Sequence, residues 1–505
     1  MTFGRKEVYR LPVPGPEDAV ADRERLLAAC HAEGLTLEAL RELPGALHRG
    51  GYRVTATPSP TDSGWRIVRV EPGDTTGRLF GLALDLGSTT LNLELLDLHT
   101  SAVLARADGT NSQRAVSTNI LDRILYAKDR PDHLEALQTA VVGDINGLIA
   151  DCCGAAAVDP AEIAVLAVGG NTTMIHLLLG CDPWQIFQTP YTPVFFDPGI
   201  FPAGDIGLTL RCSLFCMPAV ANYLGGDITG GLLTTDLDTR QDLALFLDIG
   251  TNGEIAFGNR DFLLVGAGAA GPALEGALSK SGMRAKSGAV CSVVIDGENE
   301  LHVHTVDDAP PVGICGSGIL DLIAQGFLAG WIGGDGSLNA AASPRIRTVL
   351  DETSQRPTPA IIYADGPTEP LYFTENDIRE FIRCKAAAYT MAATLLDACG
   401  ASPADLGTVY LSGGFGEHLN LESAITVGMY PDIPREKFKI LGNTSLAGVK
   451  MLLMNRDCLT RVRQFAARAQ YVQFGQMEHF LSNMVAAEFL PNTDRSAFPS
   501  VKCRT

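Results

Sequence analysis

A strand that ends in Asp and runs into a glycine turn occurs twice in this chain, and the repeat constrains the fold more than any other feature. The offset from Asp85 to Asp248 is 163 residues, which is too long for a solenoid repeat and fits two duplicated α/β halves. In both copies the apolar run before Asp predicts a buried strand, and two further strands follow. The copies are Leu84-Asp85-Leu86-Gly87-Ser88-Thr89-Thr90 and Leu247-Asp248-Ile249-Gly250-Thr251-Asn252-Gly253.

Each turn has the chemistry of a phosphate site that needs no lysine, because glycine lets the backbone approach an anion and several N–H groups and hydroxyls converge. Asp85 and Asp248 lie beside the turns, where they are predicted to hold Mg²⁺ through water, since this ion keeps waters and substrate phosphates as ligands. One copy alone favours a plain β-turn; two copies together predict ATP and Mg²⁺ as cofactors. The predicted phosphate ligands are Gly87, Ser88, Thr89 and Thr90 in the first turn and Gly250, Thr251, Asn252 and Gly253 in the second.

A third glycine-rich turn, Ser412-Gly413-Gly414-Phe415-Gly416, follows a strand near the end of the chain. Its glycines Gly413, Gly414 and Gly416 are predicted to line the adenosine. The order of the three motifs resembles that of the actin, sugar-kinase and heat-shock-chaperone ATPase superfamily. The predicted fold class is therefore α/β, with duplicated actin-like (ribonuclease H-like) lobes, an inter-lobe nucleotide cleft and a small α/β module before them.

Four further residues are candidates for the same site. Asp227, in Gly225-Gly226-Asp227, is predicted to orient the attacking water or accept its proton, and a helix N-cap is the alternative. Gly271 and Glu275, in GPALEG, could contact ribose or adenine, with capping or packing an equal alternative. Gly316 opens a glycine-rich helix start whose N–H groups could face a phosphate or nucleoside.

Three segments differ in pattern along the chain. Residues 1–80 predict a small α/β module, with helices at 17–33 and 35–48 and strands at 52–57 and 65–71. Residues 81–240 are predicted to form the first actin-like lobe. Residues 241–505 are predicted to form the second lobe, which carries the adenosine motif.

Composition excludes several classes of protein. The formal net charge of −19 argues against a non-specific nucleic-acid binder, which needs clustered Lys and Arg. No apolar run reaches the ~18–20 residues of a membrane span, and the N-terminus lacks a signal-peptide core, so we expect a cytoplasmic protein.

The cysteines predict no iron–sulfur cluster held by this chain. The twelve thiols are spread along the sequence, whereas a cluster needs several thiolates at short spacings. Cys152 and Cys153 are adjacent, and Cys212 and Cys216 form an isolated C-x3-C. A cluster shared across a symmetric dimer stays open.

A set of longer motifs resembles RACo, the family of reductive activators of corrinoid proteins. The resemblance covers about residues 81–495, and the opening module, which ends in EPGDTTGRL, resembles the family's middle domain. One departure is Asn119, where the family is expected to have a carboxylate. The motifs are NSQR (111–114), GGNTTMIHLLLG (169–180), LDIGTNGEIAFG (247–258), GPALEG (271–276), SGMRAKSGA (281–289), PPVGICGSGILDL (310–322) and LSGGFGEHLN (411–420).

The resemblance implies an ATPase that drives the one-electron reduction of Co(II) to Co(I) in a corrinoid protein of a methyltransferase system. It also implies a homodimer. Typical members carry an N-terminal ferredoxin-like domain, and this sequence has no cluster cysteines at either end. We therefore expect a separate iron–sulfur protein to supply the electron, or another client to be served. The rival functions are a small-molecule kinase on the same scaffold and a nucleotide-gated, chaperone-like binding module.

Overall fold

The small N-terminal module is an α/β unit, as its sequence predicts. The computed structural model describes residues 2–61, 63–250, 253–268, 278–351, 355–413 and 419–502. Within them the module pairs its strands in the order β1-β3-β4-β2 and packs two helices on them. Its elements are β1 (Glu7–Arg10), α1 (Asp22–Cys30), β2 (Gly34–Leu35), α2 (Leu37–Gly50), β3 (Arg53–Pro60) and β4 (Trp65–Pro72).

The helix α2 begins at a capped residue and tolerates a proline. The Thr36 side chain accepts a hydrogen bond from the backbone N–H of Ala39, which satisfies one donor of the first turn. Pro44 lies inside the helix, where a proline removes one backbone hydrogen bond. The apolar face of α2 packs on the sheet through Leu43 and Leu47, both buried, and this burial holds the helix together despite the proline.

The first large sheet follows the small module. Among the described residues its strands have the order β7-β6-β5-β8-β10-β9, with β5 antiparallel to β6 and parallel to β8. The central strand β5 is buried almost throughout, as an apolar strand covered on both faces should be. The elements are β5 (Phe80–Leu86), β6 (Thr90–Asp97), β7 (Val103–Thr110), α3 (Ile120–Ala127), α4 (Pro131–Ala156), β8 (Ile163–Gly170), α5 (Thr172–Leu178), α6 (Trp184–Phe187), β9 (Ile200–Pro202), β10 (Ser213–Cys216) and α7 (Gly226–Leu233).

A second large sheet repeats this order. In the part of the chain that the structure describes, its strands run β21-β20-β11-β12-β13-β22, with β11 antiparallel to β12 and parallel to β20. Its first parts are β11 (Leu243–Ile249), β12 (Gly253–Gly258), β13 (Leu263–Gly268), β14 (Ala289–Ile295), β15 (Leu301–Thr305), β16 (Gly313–Ile314), α8 (Gly316–Leu328), β17 (Ile346–Asp351), β18 (Arg356–Asp365) and β19 (Pro370–Thr374). The rest are α9 (Glu375–Ala398), β20 (Leu406–Ser412), α10 (Leu421–Thr426), β21 (Phe438–Gly442), α11 (Thr444–Met454), α12 (Cys458–Arg468), β22 (Ala469–Tyr471) and α13 (Phe480–Ala487).

The two sheets share one topology. In both, a first strand pairs with an antiparallel hairpin on one side and with two successive parallel strands on the other. The sheets differ at their edges, because β9 pairs antiparallel with β10 whereas β22 pairs parallel with β13. Strands β14–β19 form two small sheets of their own. The predicted fold class of duplicated actin-like α/β lobes after a small module is confirmed.

The described chain divides into two compact units. The first comprises Met1–Thr234 with Thr444–Arg468, and the second comprises Thr235–Asn443 with Ala469–Thr505. The small module thus groups with the first lobe, and α11 and α12 belong to the first unit although they follow the last parallel strand of the second sheet. The predicted division at residues 80 and 240 stays a prediction. Among the described helices, none combines the length and apolar character of a bilayer span.

Candidate functional site

The first hairpin carries the predicted phosphate turn. Asp85 is the last residue but one of β5, and the Gly87 N–H donates to the Thr90 carbonyl at 2.9 Å. A Cβ on Gly87 would lie 2.5 Å from that oxygen, so only glycine fits this turn. Residues 87–90 are partly exposed, and the turn can therefore meet a ligand beside the Asp85 carboxylate.

The backbone carbonyls of this turn accept hydrogen bonds from Asn111 and Arg123. Asn111 donates its Nδ2 to the Gly87 carbonyl at 3.0 Å and its backbone N–H to the Thr89 carbonyl at 2.9 Å. Arg123, on α3, donates Nη2 to the Ser88 carbonyl at 2.6 Å. The backbone oxygens of three successive turn residues are thus occupied on the protein side, which leaves the turn suited to an anion.

Arg123 is a cation buried behind the phosphate turn. Its side chain is fully buried, and it also donates to the Ser117 carbonyl at 2.8 Å. Burial, with a smaller effect from Arg114, lowers its pKa to about 10, so the guanidinium remains charged at neutral pH. A positive charge at this position favours an anion on the turn. Asn119, the predicted family departure, caps α3 by accepting from the Leu121 N–H at 2.9 Å.

Close backbone contacts link Asp85 to the start of α7. Asp85 pairs in register with Gly169 on β8, and a Cβ on Gly170 would lie 2.8 Å from the Leu86 carbonyl. A Cβ on Gly225 would lie 2.1 Å from the Gly170 carbonyl. Only glycine fits at positions 170 and 225, and these approaches bring Asp227 in the first turn of α7 toward the strand end that carries Asp85.

Asp227 does not occupy the cap of its helix. Gly225 is at the N-cap position, and Asp227 Oδ1 accepts from the N–H of its neighbour Ile228 at 2.8 Å. The side chain is only partly buried. The predicted alternative, that Asp227 serves as an N-cap, is therefore wrong, and its role at water stays a prediction.

The second unit repeats the carboxylate at the same strand position. Asp248 is the last residue but one of β11, and Ser412 Oγ donates to its Oδ2 at 3.0 Å. Gly413 has a φ of +103°, and a Cβ there would lie 3.1 Å from Asp248 Oδ1. The predicted metal carboxylate and the start of the predicted adenosine turn therefore lie in contact. Burial, with Asp248 as a smaller cause, raises the pKa of the Tyr430 hydroxyl beside them.

Several predicted residues cannot be placed. Gly250 and Gly253 flank the second turn, and Gly253 begins β12. Gly316 begins α8 in a buried position after Cys315, which is also buried. The predicted residues that lie outside the described part of the chain are Thr251, Asn252, Gly271, Glu275, Gly414 and Gly416.

The oxygen donors at both strand ends fit magnesium. Carboxylates and hydroxyls are hard ligands, and Mg²⁺ takes one or two carboxylates with water and substrate phosphates. Asp85 accepts from Asn92 Nδ2 at 3.4 Å, and Asp248 accepts from Ser412, so both carboxylates are oriented by a neighbour. Among the described residues no group of three or more His, Cys, Asp or Glu is arranged to hold a metal ion.

Comparison with known proteins decides the family. A model of the C-terminal domain of RACo, the ASKHA domain, matches residues 242–502. The chain belongs to the RACo family. Further RACo models match the middle region at 80–240 and the linker region at 4–77. The expected correspondence of residues 1–80 with the middle domain is thereby corrected, because this module matches the linker.

The chain is similar to RACo relatives over most of its length. It is 30% identical over 404 residues to the corrinoid activation enzyme RamQ of Eubacterium limosum, covering 78% of this chain and 68% of the relative. It is 26% identical over 425 residues to the [Co(II) methylated amine-specific corrinoid protein] reductase of Methanosarcina barkeri, covering 80% and 75%. The solved structure of a reductive activator for corrinoid, iron-sulfur protein superposes with a TM-score of 0.90 at 36% identity, covering 99% of this chain and 81% of that one.

Two features of this RACo chain escaped the sequence analysis. Arg123 carries no motif of its own, and its contact with Ser88 is visible only in three dimensions. The sequence Gly442-Asn443-Thr444-Ser445 repeats Gly170-Asn171-Thr172-Thr173 in type, and each follows a strand and opens a helix. That repeat was a usable signal for the start of α11.

Proposed function

We propose that this chain hydrolyses ATP with Mg²⁺ to support the reductive reactivation of a corrinoid protein, from Co(II) to Co(I), in a methyltransferase system. The observation that carries the nucleotide part is the duplication itself. In two sheets whose first strands have the same kinds of neighbour, an Asp lies one residue before the end of that strand, and glycine follows the strand in the sequence. The corrinoid part is supported by the names of the RACo relatives.

Each unit, taken by itself, carries a turn and a carboxylate whose chemistry suits a nucleotide. In the first unit the N–H groups and hydroxyls of Gly87–Thr90 bind phosphate, with the buried Arg123 charge behind them. In the second unit Gly413 packs directly against the Asp248 carboxylate. The residue proposed to hold the metal ion therefore lies next to the residue proposed to contact the nucleoside. Asp85 and Asp248 are the carboxylates that would hold Mg²⁺ through water, and the ion would supply neutralisation of the phosphate charge.

Asp227 positions the attacking water. Its carboxylate lies in the first turn of α7, and the glycine contacts at Gly169, Gly170, Gly225 and Gly226 fix that turn against the strand that carries Asp85. The water oxygen bonds to the γ-phosphorus, the bond from that phosphorus to the β–γ bridging oxygen breaks, and the water proton passes toward the carboxylate.

The electron comes from a separate iron–sulfur protein. One electron reduces one Co(II) to Co(I), and the donor protein is oxidised by one electron. Cys212 and Cys216, spaced as C-x3-C, are both buried in the apolar core of the first lobe, where cysteine commonly serves as a small apolar side chain. A homodimer and a cytoplasmic location stay predictions of the sequence.

The test combines three purified components. We expect ATP hydrolysis by the full chain, stimulation by a Co(II) corrinoid protein, and a cobalt absorbance change to Co(I) only when ATP and an iron–sulfur donor are both present. Phosphate transfer to a small metabolite instead of water would favour the kinase. Tight ATP binding without turnover would favour the binding module. Either result overturns the proposal.

A further inference from the structure

A buried hydroxyl at the start of α11 has no partner among the described residues. Ser445 is 5% exposed, and its Oγ makes no hydrogen bond to any described group. Leaving a buried donor unsatisfied destabilises a fold. Such a group in a native protein calls for an explanation, and a bound ligand is one.

The unpartnered hydroxyl faces the strand position beside Asp85. A Cβ on Gly169 would lie 2.9 Å from Ser445 Oγ, 2.9 Å from Val449 Cγ2 and 3.5 Å from the Gly226 carbonyl. The hydroxyl therefore lies where the side chain of Gly169 would be. Gly169 pairs in register with Asp85, and directly paired residues of neighbouring strands point to the same face of a sheet.

Three polar side chains thus lie on or over one face of the first sheet: Asn92, Asp85 and Ser445. Asn92 and Asp85 are paired across β6 and β5, Gly169 continues the row on β8, and Ser445 Oγ lies over Gly169. The carbonyl of Gly226, which precedes Asp227, borders the same space. A helix from far along the sequence places its hydroxyl between the two carboxylate-bearing segments of the first unit.

The position of α11 is rigidly defined. A Cβ on Gly448 would lie 2.1 Å from the Gly230 carbonyl, and a Cβ on Gly230 would lie 3.1 Å from the Ser445 carbonyl. The two helices α11 and α7 therefore touch backbone to backbone. This packing leaves Ser445 little freedom to turn toward another partner.

We propose that Ser445 is a positioning residue for magnesium, whose hydroxyl oxygen accepts a hydrogen bond from a water of the ion that Asp85 binds. The inference rests on the proposed ATP- and Mg²⁺-dependent function and adds a residue to it. Hydrogen bonds to the waters of a hydrated ion orient it beside the carboxylate, as outer ligands do at other metal sites. The role predicts an effect on magnesium-dependent binding and not on binding of the nucleotide alone.

Calorimetric titration of the full chain with ADP, in excess Mg²⁺ and in EDTA, tests the proposal. We expect Mg²⁺ to strengthen ADP binding to the wild type, and Ser445→Ala to reduce that gain about tenfold, the effect of one hydrogen bond in a charged environment. Ser445→Ala should leave ADP affinity in EDTA within about twofold of the wild type. The half-saturating Mg²⁺ concentration for ATP hydrolysis should rise in parallel.

Two variants complete the design. Thr390→Val removes another fully buried hydroxyl without a described partner, in the second unit, and it should leave the magnesium gain unchanged. Ser445→Cys keeps a side chain of similar shape with a weaker acceptor, and it should reduce the gain if Ser445→Ala does not fold.

Three results overturn the inference. The first is that Mg²⁺ strengthens ADP binding to Ser445→Ala, or to a folded Ser445→Cys, as much as it does for the wild type. An equal loss with and without Mg²⁺ also overturns the inference, because it shows a direct contact with phosphate. A wild type that binds no nucleotide removes the proposed function, and the inference with it, whereas an active wild type with an unaffected variant removes the inference alone.

Discussion

At the scale of single residues, neighbouring side chains and not burial orient the carboxylates of Asp85 and Asp248. Asp248 accepts from Ser412 Oγ and packs against Gly413, and Asp85 accepts from Asn92. Both carboxylates stay partly exposed at a strand end. A partly exposed, oriented carboxylate is available to a hydrated ion without a large desolvation cost.

We expect Asp248→Ala to reduce ATP hydrolysis by about 10²-fold or more, because the carboxylate that holds the hydrated ion is lost. The fold should remain, since the residue is partly exposed and the cost of one lost hydrogen bond is about 1 kcal/mol. Phosphate release and circular dichroism measure the two effects. The control Asp242→Ala removes an exposed carboxylate that pairs with Arg240 and should keep its turnover; unchanged turnover in Asp248→Ala would refute the assignment.

Replacing Arg123 tests the charge behind the first turn. Arg123→Met leaves the Ser88 and Ser117 carbonyls without their donor, so we expect the free energy of unfolding to fall by roughly 3 kcal/mol and ADP to bind more weakly. Urea unfolding and calorimetry measure both. Arg130→Met, which breaks an exposed pair with Asp132, should change stability by less than about 0.5 kcal/mol. Equal results for the two variants would contradict the argument.

At the scale of elements, glycines determine which segments can touch. The ends of β5 and β8 and the start of α7 meet through Gly169, Gly170 and Gly225, and α11 crosses α7 at Gly230 and Gly448. A methyl group at several of these positions would overlap backbone atoms, which cannot move aside as a flexible side chain can. These contacts place Asp227 and Ser445 beside the strand that carries Asp85.

Paired glycine substitutions measure this packing. Gly448→Ala would put Cβ 2.1 Å from the Gly230 carbonyl, and we expect it to lower the free energy of unfolding by about 2–3 kcal/mol through overpacking. Gly147→Ala lies in α4 with open space around its Cβ, so it should raise stability by about 0.5–1 kcal/mol. Thermal unfolding of both variants is the measurement, and a neutral Gly448→Ala would show that the helices can separate.

At the scale of the whole molecule, buried thiols limit stability in alkali. Burial raises the pKa of Cys212 and Cys216 to about 12, from an ordinary value of 9.0. A raised pKa in the folded state means that the stabilisation is complete below pH 9 and is lost as pH rises from 9 toward 12, because the unfolded chain releases those protons first. Both residues lie in the core of the first lobe.

We expect the free energy of unfolding to fall between pH 8 and pH 10 by roughly 1 kcal/mol for each of these thiols. The double variant Cys212→Ala/Cys216→Ala should show a flatter pH dependence, whatever its stability at pH 8. Denaturant titrations at both pH values provide the measurement, with Cys399→Ala as the exposed control. A double variant with the wild-type slope would contradict this origin.

Much of the fold follows from local pattern. The apolar runs that end in Asp85 and Asp248 become the buried first strands, and the predicted turn at Gly87 forms, because strand burial and glycine geometry are properties of a few neighbouring residues. The helices of the small module form as well, shortened to Asp22–Cys30 and shifted to Leu37–Gly50. Their ends moved because caps and tertiary contacts, not apolar spacing, decide where a helix stops.

By itself, then, the sequence determined the duplicated apolar strands that end in Asp and glycine, and the residue types that we propose to bind phosphate. Only the tertiary structure decided that Arg123 lies behind Ser88, that α11 and α12 join the first unit, and that Ser445 Oγ lies over Gly169. These contacts join segments far apart in the chain. They depend on how closely two backbones can approach, and local periodicity carries no information about that distance.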